Sequence, residues 1–285
     1  MIKKNKDMFF FKEKKIKEKK ILSKSFGMIC EKILLEDGNE FIAKSYLKKI
    51  SNFNAITSEA KSIKYMKKKF PKLFPKIYYF DNKTLVMEYI KNDGNKGKDF
   101  EKELAINIAS IHKIKNNKYG FDFDTPIGGL KQPSKYSNNW VEFYKKNRLG
   151  MVFEEINNEN PMPHKLNRGI EKILNNLENL IPKNPPASLI HGDLWDGNIL
   201  FDQGKLKGLI DPGIHFAHNE MEIAYLSWFK YITKNFYVHY SNIIKLDNNY
   251  KKYEKIYQLY YCLLNVHLWS RDYITNASEI VEQYV

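Results

Sequence analysis

The chain has 285 residues, the length of one two-lobed domain or two small ones, and 43% of them are hydrophobic, which is enough for a sizeable core. Its formal net charge of +14 could attract nucleic acid or phosphorylated ligands, but no arginine-rich helix or zinc-ligand spacing supports nucleic-acid binding. Two distant cysteines, Cys30 and Cys262, and the absence of a long apolar run argue against a disulfide framework, a signal peptide and a membrane partner, so we expect a cytoplasmic protein.

The first third of the chain predicts a small antiparallel sheet with one helix. Residues 1–22 are rich in lysine and predict a basic helix or a frayed tail. Runs of apolar residues bounded by turn residues predict strands over 28–35, 41–46, 73–80 and 84–90. A helix is expected over 57–69, with Thr57 or Ser58 as its N-cap. Residues 23–90 would therefore form an N-terminal lobe.

The rest of the chain predicts a larger, mainly helical lobe. Residues 91–99 are charged and contain glycine, which indicates a linker between two lobes. Helical periodicity or apolar content then predicts helices over 100–113, within 150–181, from about Glu220 and over 253–273. We expect residues 100–285 to form the C-terminal lobe.

Residues 188–213 carry the clearest functional pattern. Two short apolar runs, 199–201 and 206–210, flank a polar turn and predict a β-hairpin. A hairpin returns the chain to its starting point, so Asn198 before its first strand and Asp211 after its second should lie side by side. Asp193, in the loop that leads into the hairpin, should face the same end.

These three side chains suit phosphoryl transfer. Asn198 and Asp211 offer the hard oxygen ligands that Mg²⁺ takes when it also holds substrate phosphates. Asp193 could then accept a proton from an attacking hydroxyl. The Asp-x4-Asn spacing, followed by a second Asp after a hairpin, is typical of kinase-like phosphotransferases.

The string HGDLWDGN followed by IDP closely resembles the signature of the fructosamine-3-kinase (ketosamine-3-kinase) family, within the wider group of aminoglycoside phosphotransferase and choline kinase-like folds. Residues 120–149 and 253–273 resemble two further family blocks, so the resemblance extends from about residue 23 to 273. Three positions depart from the family pattern, namely Lys131, Ser134 and Val266. The first two lie in a loop that could orient the sugar, so substrate choice could differ.

The resemblance implies an α+β, bilobal protein kinase-like fold and an ATP-dependent phosphotransferase. Its acceptor would be the 3-hydroxyl of a ketosamine, either a small molecule or protein-bound, which makes protein deglycation the expected role. Asp193 would be the catalytic base, and Asn198 and Asp211 would bind Mg²⁺ beside ATP.

The resemblance also assigns residues to the nucleotide. Lys44 would contact the phosphates, held by Glu59 of the following helix. Gly27 would lie in the phosphate loop, although it is the only glycine of residues 23–27. Adenine would be bound by the backbone of the segment comprising Glu88, Tyr89 and Ile90.

Four residues are candidates for the sugar site: Trp195, Gln132, Trp140 and His267. Trp195 could equally well pack inside the protein, and aromatic residues of 253–273 are expected mainly in the core. Cys30 is expected to be a buried or idle thiol. Two other functions stay open, namely a related kinase for aminoglycosides or choline and a nucleotide-binding pseudokinase, and the protein could be a monomer or a homodimer.

Overall fold

The computed structural model describes Phe11 and residues 13–48 and 52–285, which form two compact units. Unit 1 contains the described residues up to Lys98 together with Thr125–Lys131 and Gly197–Gly213. Unit 2 contains Asp99–Asp124, Gln132–Asp196 and Ile214–Val285. The first boundary between the two units therefore lies between Lys98 and Asp99, at the end of the predicted 91–99 linker.

The described residues form both strands and helices. The strands are β1 (Ile16–Ser25), β2 (Met28–Leu35), β3 (Glu40–Tyr46), β4 (Ile77–Phe80), β5 (Thr84–Glu88), β6 (Lys115–Asn116), β7 (Thr125–Ile127), β8 (Leu130–Gln132), β9 (Ala187–Ile190), β10 (Ile199–Asp202), β11 (Lys205–Leu209) and β12 (His215–His218). The helices are α1 (Ala55–Lys69), α2 (Phe100–His112), α3 (Trp140–Tyr144), α4 (Gly150–Glu159), α5 (His164–Leu180), α6 (Asn219–Trp228), α7 (Lys234–Ser241), α8 (Tyr250–Leu268) and α9 (Tyr273–Val281).

Unit 1 is built on a five-stranded antiparallel sheet with the strand order β1-β2-β3-β5-β4. Alternation along β3 separates its two faces, because successive side chains of a strand point to opposite sides. Phe41 and Ala43 pack in one apolar cluster with Ile33, while Ile42 packs in a second cluster with Ile56 of α1. The predicted strands at 28–35 and 41–46 are confirmed.

β1 corrects the expectation of a helix or a tail over residues 1–22, of which residues 1–10 and 12 lie outside the described part. β1 is almost wholly exposed, and it is held by backbone pairing with β2 from Ile16 to Ser25. Phe26 and Gly27 form the connecting turn with φ of 49° and 71°. Positive φ at both central residues defines the two-residue turn that matches strand twist. This hairpin pairing overrides the high helix propensity of lysine and glutamate.

Two other boundaries differ from the prediction. α1 begins at Ala55, because the side chain of Asn54, rather than Thr57 or Ser58, caps it by accepting the Thr57 N–H at 3.0 Å. The strand expected over 73–80 begins only at Ile77. The Leu73 carbonyl instead accepts the Leu209 N–H of β11 at 2.7 Å.

The β10–β11 hairpin forms as predicted, with Ile199 opposite Leu209, but it belongs to unit 1 and not to the C-terminal lobe. Residues 91–99 run beside it and supply its partners. The Phe201 carbonyl accepts the N–H groups of Asp93 and Gly94, both at 3.1 Å, and the Gly204 N–H donates to the Asn95 carbonyl at 3.0 Å. The hydrogen bonds of the predicted linker thus attach the hairpin to this unit.

Unit 2 is mainly helical, with a small antiparallel sheet in the order β12-β9-β6. Its core is rich in fully buried aromatic side chains, among them Trp140, Tyr144, Tyr257, Tyr260 and Tyr261. The predicted helices at 100–113, 150–181, about 220 and 253–273 correspond to α2, to α4 and α5, to α6 and to α8. In the described part of the chain, every helix is too short or too polar to cross a membrane.

Candidate active site

Lys44 on β3 is the centre of a partly buried ion cluster in unit 1. Its Nζ lies 2.7 Å from Glu59 Oε1 on α1 and 2.6 Å from Asp211 Oδ1, which follows the β10–β11 hairpin. We call Lys44, Glu59 and Asp211 the Lys44 cluster. The Lys44–Glu59 pair is the one expected from the sequence, whereas the contact with Asp211 joins residues 167 positions apart.

Each charged group of the Lys44 cluster shifts the pKa of its neighbours. Burial alone would lower the pKa of Lys44, but the carboxylates of Asp211 and Glu59 more than offset this effect and hold it above its usual value. Burial raises the pKa of Glu59, and the nearby Lys44 opposes that rise. Lys44 is therefore a permanent cation whose donors are already aimed at oxygen anions.

The hairpin returns the backbone to Asn198 immediately before Asp211. The Ile210 N–H, next to Asp211, donates to the Asn198 carbonyl at 3.1 Å. Asp211 has φ of 55°, in the left-handed region that non-glycine residues seldom adopt and that recurs at functional sites. This backbone conformation accompanies the approach of its carboxylate to Lys44.

The same pair suits magnesium. In the described residues, three or more His, Cys, Asp or Glu side chains nowhere form a group that could hold a metal ion. An amide and a carboxylate fit Mg²⁺ nevertheless, because this ion keeps several waters and takes one or two protein ligands together with substrate phosphates. Asn198 and Asp211 would hold it.

In unit 2, the residues His191, Gly192 and Asp193 form a loop directly after β9, which we call the Asp193 loop. Glu222 of α6 holds this loop by two hydrogen bonds. Its Oε1 accepts the Gly192 N–H at 2.6 Å, and its Oε2 accepts the His191 N–H at 3.1 Å. The Asp193 N–H donates to His191 Nδ1 at 3.3 Å. Gly192 has φ of 88°, which allows the sharp turn before Asp193.

Glu222 is itself fixed in the core. Its Oε2 lies 2.9 Å from His112 Nε2, and both side chains are fully buried. Burial alone would raise the pKa of Glu222, but His112 and the N–H of Gly192 lower it below the usual value, so the carboxylate is ionised at neutral pH. Glu222 therefore orients the Asp193 loop, and His112 is a core residue.

Tyr225 is a contact of Asp193 that the sequence did not predict. Its hydroxyl donates to Asp193 Oδ1 at 3.5 Å, and its ring stacks on Tyr261 with a centroid distance of 3.8 Å. Tyr225 follows Glu222 by three positions in α6, so both lie on one helix face. That spacing is the signal by which Tyr225 could have been found.

The expected nucleotide residues all lie in unit 1. Gly27 is in the β1–β2 turn, where its carbonyl accepts the N–H groups of Leu47 and Lys48. Glu88 ends β5, Tyr89 lies under Lys32 Nζ at 3.7 Å from the ring centroid, and Ile90 packs against Gly208 of the hairpin. The Glu88 side chain accepts the Lys76 N–H at 2.9 Å, and the Glu88 N–H donates to the Lys76 carbonyl at 2.8 Å.

The structure separates the four sugar-site candidates. Trp195 is 40% exposed, and His267 lines a groove of about 250 Å³ in unit 2. The expectation that Gln132 and Trp140 contact the sugar is wrong, because both side chains are 0% exposed and have no surface for a ligand. Gln132 accepts the Tyr260 hydroxyl at 2.8 Å, and Trp140 Nε1 donates to the Tyr257 hydroxyl at 2.9 Å.

Cys30 lies on β2 opposite Lys44 and is half-buried. Burial raises its pKa to about 11, although Lys44 acts in the opposite direction. Because the thiolate is the reactive form, this raised pKa disfavours reaction of Cys30 at neutral pH. This agrees with the expected idle thiol.

Comparison with known proteins places this geometry in a family. The family model for fructosamine kinase matches residues 4–285. The protein-ribulosamine 3-kinase of Arabidopsis thaliana chloroplasts is 30% identical over 206 residues, which are 70% of this chain and 61% of that protein. The match therefore spans less than two thirds of that relative.

Solved structures agree with this assignment. A Haemophilus somnus 129PT protein, described as a candidate fructosamine-3-kinase, is 25% identical with a TM-score of 0.82, covering 95% of this chain and 92% of that one. Aminoglycoside phosphotransferase APH(2'')-Ib with ADP bound is 16% identical with a TM-score of 0.63, covering 96% and 95%, and shares the protein kinase-like fold. The chain therefore belongs to the fructosamine kinase family.

Proposed function

We propose that this protein is an ATP-dependent kinase that phosphorylates the 3-hydroxyl of ketosamines. The observation that carries the proposal is the Lys44 cluster, in which one largely buried cation lies within 2.7 Å of the carboxylates of Glu59 and Asp211. Such a lysine–glutamate pair and a metal-binding aspartate are required together for phosphoryl transfer in kinase-like enzymes. The family and the names of its relatives favour a ketosamine acceptor.

Lys44 is the residue that neutralises the phosphates of ATP. Glu59 holds its side chain, and phosphate oxygens would take the place that the Asp211 carboxylate now has. Asn198 and Asp211 are then available for Mg²⁺, which offsets the negative charge of the phosphates when it is bound. The backbone of Glu88 to Ile90 binds adenine.

Asp193 is the catalytic base. The sugar hydroxyl oxygen attacks the γ-phosphorus, the bond between that phosphorus and ADP breaks, and the hydroxyl proton passes to the Asp193 carboxylate. Glu222 holds the loop that presents this carboxylate, at 2.6 Å from the Gly192 N–H. Trp195, with 40% of its surface accessible, is available to stack on the sugar.

The test is ADP release from purified protein with ATP, Mg²⁺ and a panel of ribulosamine, fructosamine, choline and aminoglycosides. Ketosamines should be turned over best, and mapping of the product should place the phosphate on O3. Asp193→Asn should lower kcat by roughly 10²–10⁴-fold with unchanged ADP affinity. Asp196→Asn, an exposed carboxylate of the same stretch, is the matched control. Full turnover by Asp193→Asn would remove Asp193 from this role.

The second candidate is a related kinase for another small hydroxyl compound. Lys131 and Ser134 depart from the family pattern, and the aminoglycoside phosphotransferases share the fold. Preferred turnover of choline or an aminoglycoside in the same panel would favour it. A role in protein deglycation, a cytoplasmic location, and a monomeric or homodimeric state remain parts of the proposal.

A further inference from the structure

The turn between β1 and β2 is poor in glycine for a phosphate loop. Gly27 is the only glycine of residues 23–27, and the residue before it, Phe26, takes a φ of 49°. Glycine-rich loops of kinases cover the ATP phosphates with backbone that is free to approach them closely. A phosphate loop that carries Phe26 in place of a further glycine needs a contact elsewhere in the protein to fix its position.

The β7–β8 hairpin provides such a means within unit 1. Its residues Thr125–Lys131 follow α2 in the chain, yet they group with the sheet that carries Phe26. β7 packs on α1, the helix that holds Glu59. The hairpin turn contains Gly129, with φ of 85°.

Gly129 and Phe26 approach more closely than any residue with a side chain would allow. A Cβ added to Gly129 would lie 2.5 Å from Phe26 Cβ and 3.0 Å from Phe26 Cγ. Real Cβ atoms essentially never come so near to another carbon, so the Phe26 ring base rests directly on the Gly129 backbone. The contact joins two turns that are about 100 residues apart.

We propose that the β7–β8 hairpin positions the phosphate loop, with Gly129 as the seat for Phe26. The seat fixes the β1–β2 turn before a nucleotide arrives, so less conformational entropy is lost when ATP binds. The same hairpin contacts α1, and it thereby places the loop relative to the helix that holds Lys44. Phe26 and Gly129 are positioning residues, and this role depends on the proposed kinase function.

The test compares Gly129→Ala with Gly38→Ala. Gly38, in the β2–β3 turn, has a φ of 84° and nothing within 4 Å of an added Cβ, so it carries the same backbone strain without the collision. Relative to Gly38→Ala, Gly129→Ala should raise the Kd of ADP, measured by calorimetry, and the KM of ATP by roughly tenfold, about 1.4 kcal/mol. The KM of the acceptor and kcat should stay within about twofold of the parent, since uniform nucleotide binding is what is lost.

Phe26→Gly supplies the second arm. Glycine removes the Cβ that would collide and tolerates the positive φ, so this variant should fold while it weakens ADP binding through loss of the seat. In the Phe26→Gly background, Gly129→Ala should add no more than Gly38→Ala does. Additive effects of the two exchanges would show that the residues do not act through each other.

The outcomes separate this inference from the proposed function. A parent protein that releases no ADP with any acceptor contradicts the kinase. An active parent whose Gly129→Ala variant binds ADP as tightly as Gly38→Ala contradicts the positioning role alone. Should Gly129→Ala fail to fold, as judged by thermal melting, Phe26→Gly decides the matter, and unchanged ADP affinity then refutes the inference.

Discussion

Exchange of Glu222 for glutamine should lower both the stability of the protein and its turnover. Oε2 of Glu222 accepts from His112 and His191, and Oε1 accepts from Gly192. A glutamine can keep its carbonyl oxygen toward the first two donors. Its amide nitrogen then faces the Gly192 N–H, so the strongest anchor of the Asp193 loop is lost.

The magnitude follows from these bonds. A hydrogen bond to a buried charged acceptor contributes about 1.5–3 kcal/mol, and the two remaining bonds weaken because glutamine is neutral. We expect the free energy of unfolding to fall by about 2–4 kcal/mol. In a chain of this size, that corresponds to a Tm lower by roughly 5–15 °C. Displacement of Asp193 by about 1 Å should reduce kcat by roughly 10²-fold.

The assay combines thermal melting, the coupled release of ADP and calorimetric binding of ADP. Glu254→Gln is the matched control, because Glu254 is also a buried carboxylate with three short bonds, from Ser227 at 2.6 Å, Tyr250 at 3.0 Å and Lys251 at 2.8 Å. It should destabilise the protein to a similar degree and leave kcat unchanged at a temperature where both variants are folded.

Equal kcat values for Glu222→Gln and the parent, with the expected loss of Tm, would refute the reasoning. Glu222 would then be a structural residue, and the Asp193 loop would keep its shape without it. Equal losses of kcat in both variants would point to general destabilisation instead. ADP affinity should be unchanged throughout, because Glu222 contacts only the Asp193 loop and His112 in the network described above.

Two further predictions concern charge. Lys44→Met leaves two carboxylates without their cation and should cost about 3–5 kcal/mol at pH 8 together with most of the ATP affinity. Because burial raises the pKa of Glu59, this carboxyl is protonated at pH 5.5 in the folded variant and no longer needs a cation. The difference in Tm between the variant and the parent should therefore be smaller at pH 5.5 than at pH 8. An equal difference at both pH values would contradict the charge coupling within the Lys44 cluster. Burial lowers the pKa of His218 to about 3, so the unfolded chain binds a proton below pH 6.5 that the folded protein does not. Stability should therefore fall between pH 6.5 and 5, by about 1.5 kcal/mol less in His218→Gln than in the parent, as measured by urea unfolding; parallel curves would contradict this assignment.

Local patterns in the sequence determined much of the site. The apolar runs at 28–35 and 41–46, bounded by turn residues, predict the strands that place Lys44. The turn between 199–201 and 206–210 predicts the hairpin that lies between Asn198 and Asp211. These signals act over a few residues, because strand period and turn chemistry depend on neighbours in the chain. The pairing of Lys44 with Glu59 was expected from the family resemblance, which implies a strand lysine held by a glutamate of the following helix.

Tertiary structure decided the features that the local sequence pattern did not predict. β1 is a strand because β2 pairs with it, and its lysine-rich sequence alone favours a helix. Trp140 was a candidate for the sugar site, but neighbours such as Tyr257 bury its side chain completely. The seating of Phe26 on Gly129 depends on the close approach of two distant turns. The last two outcomes depend on contacts between segments that are remote in sequence, and the first depends on pairing with a neighbouring strand, so none of them follows from the local residue pattern alone.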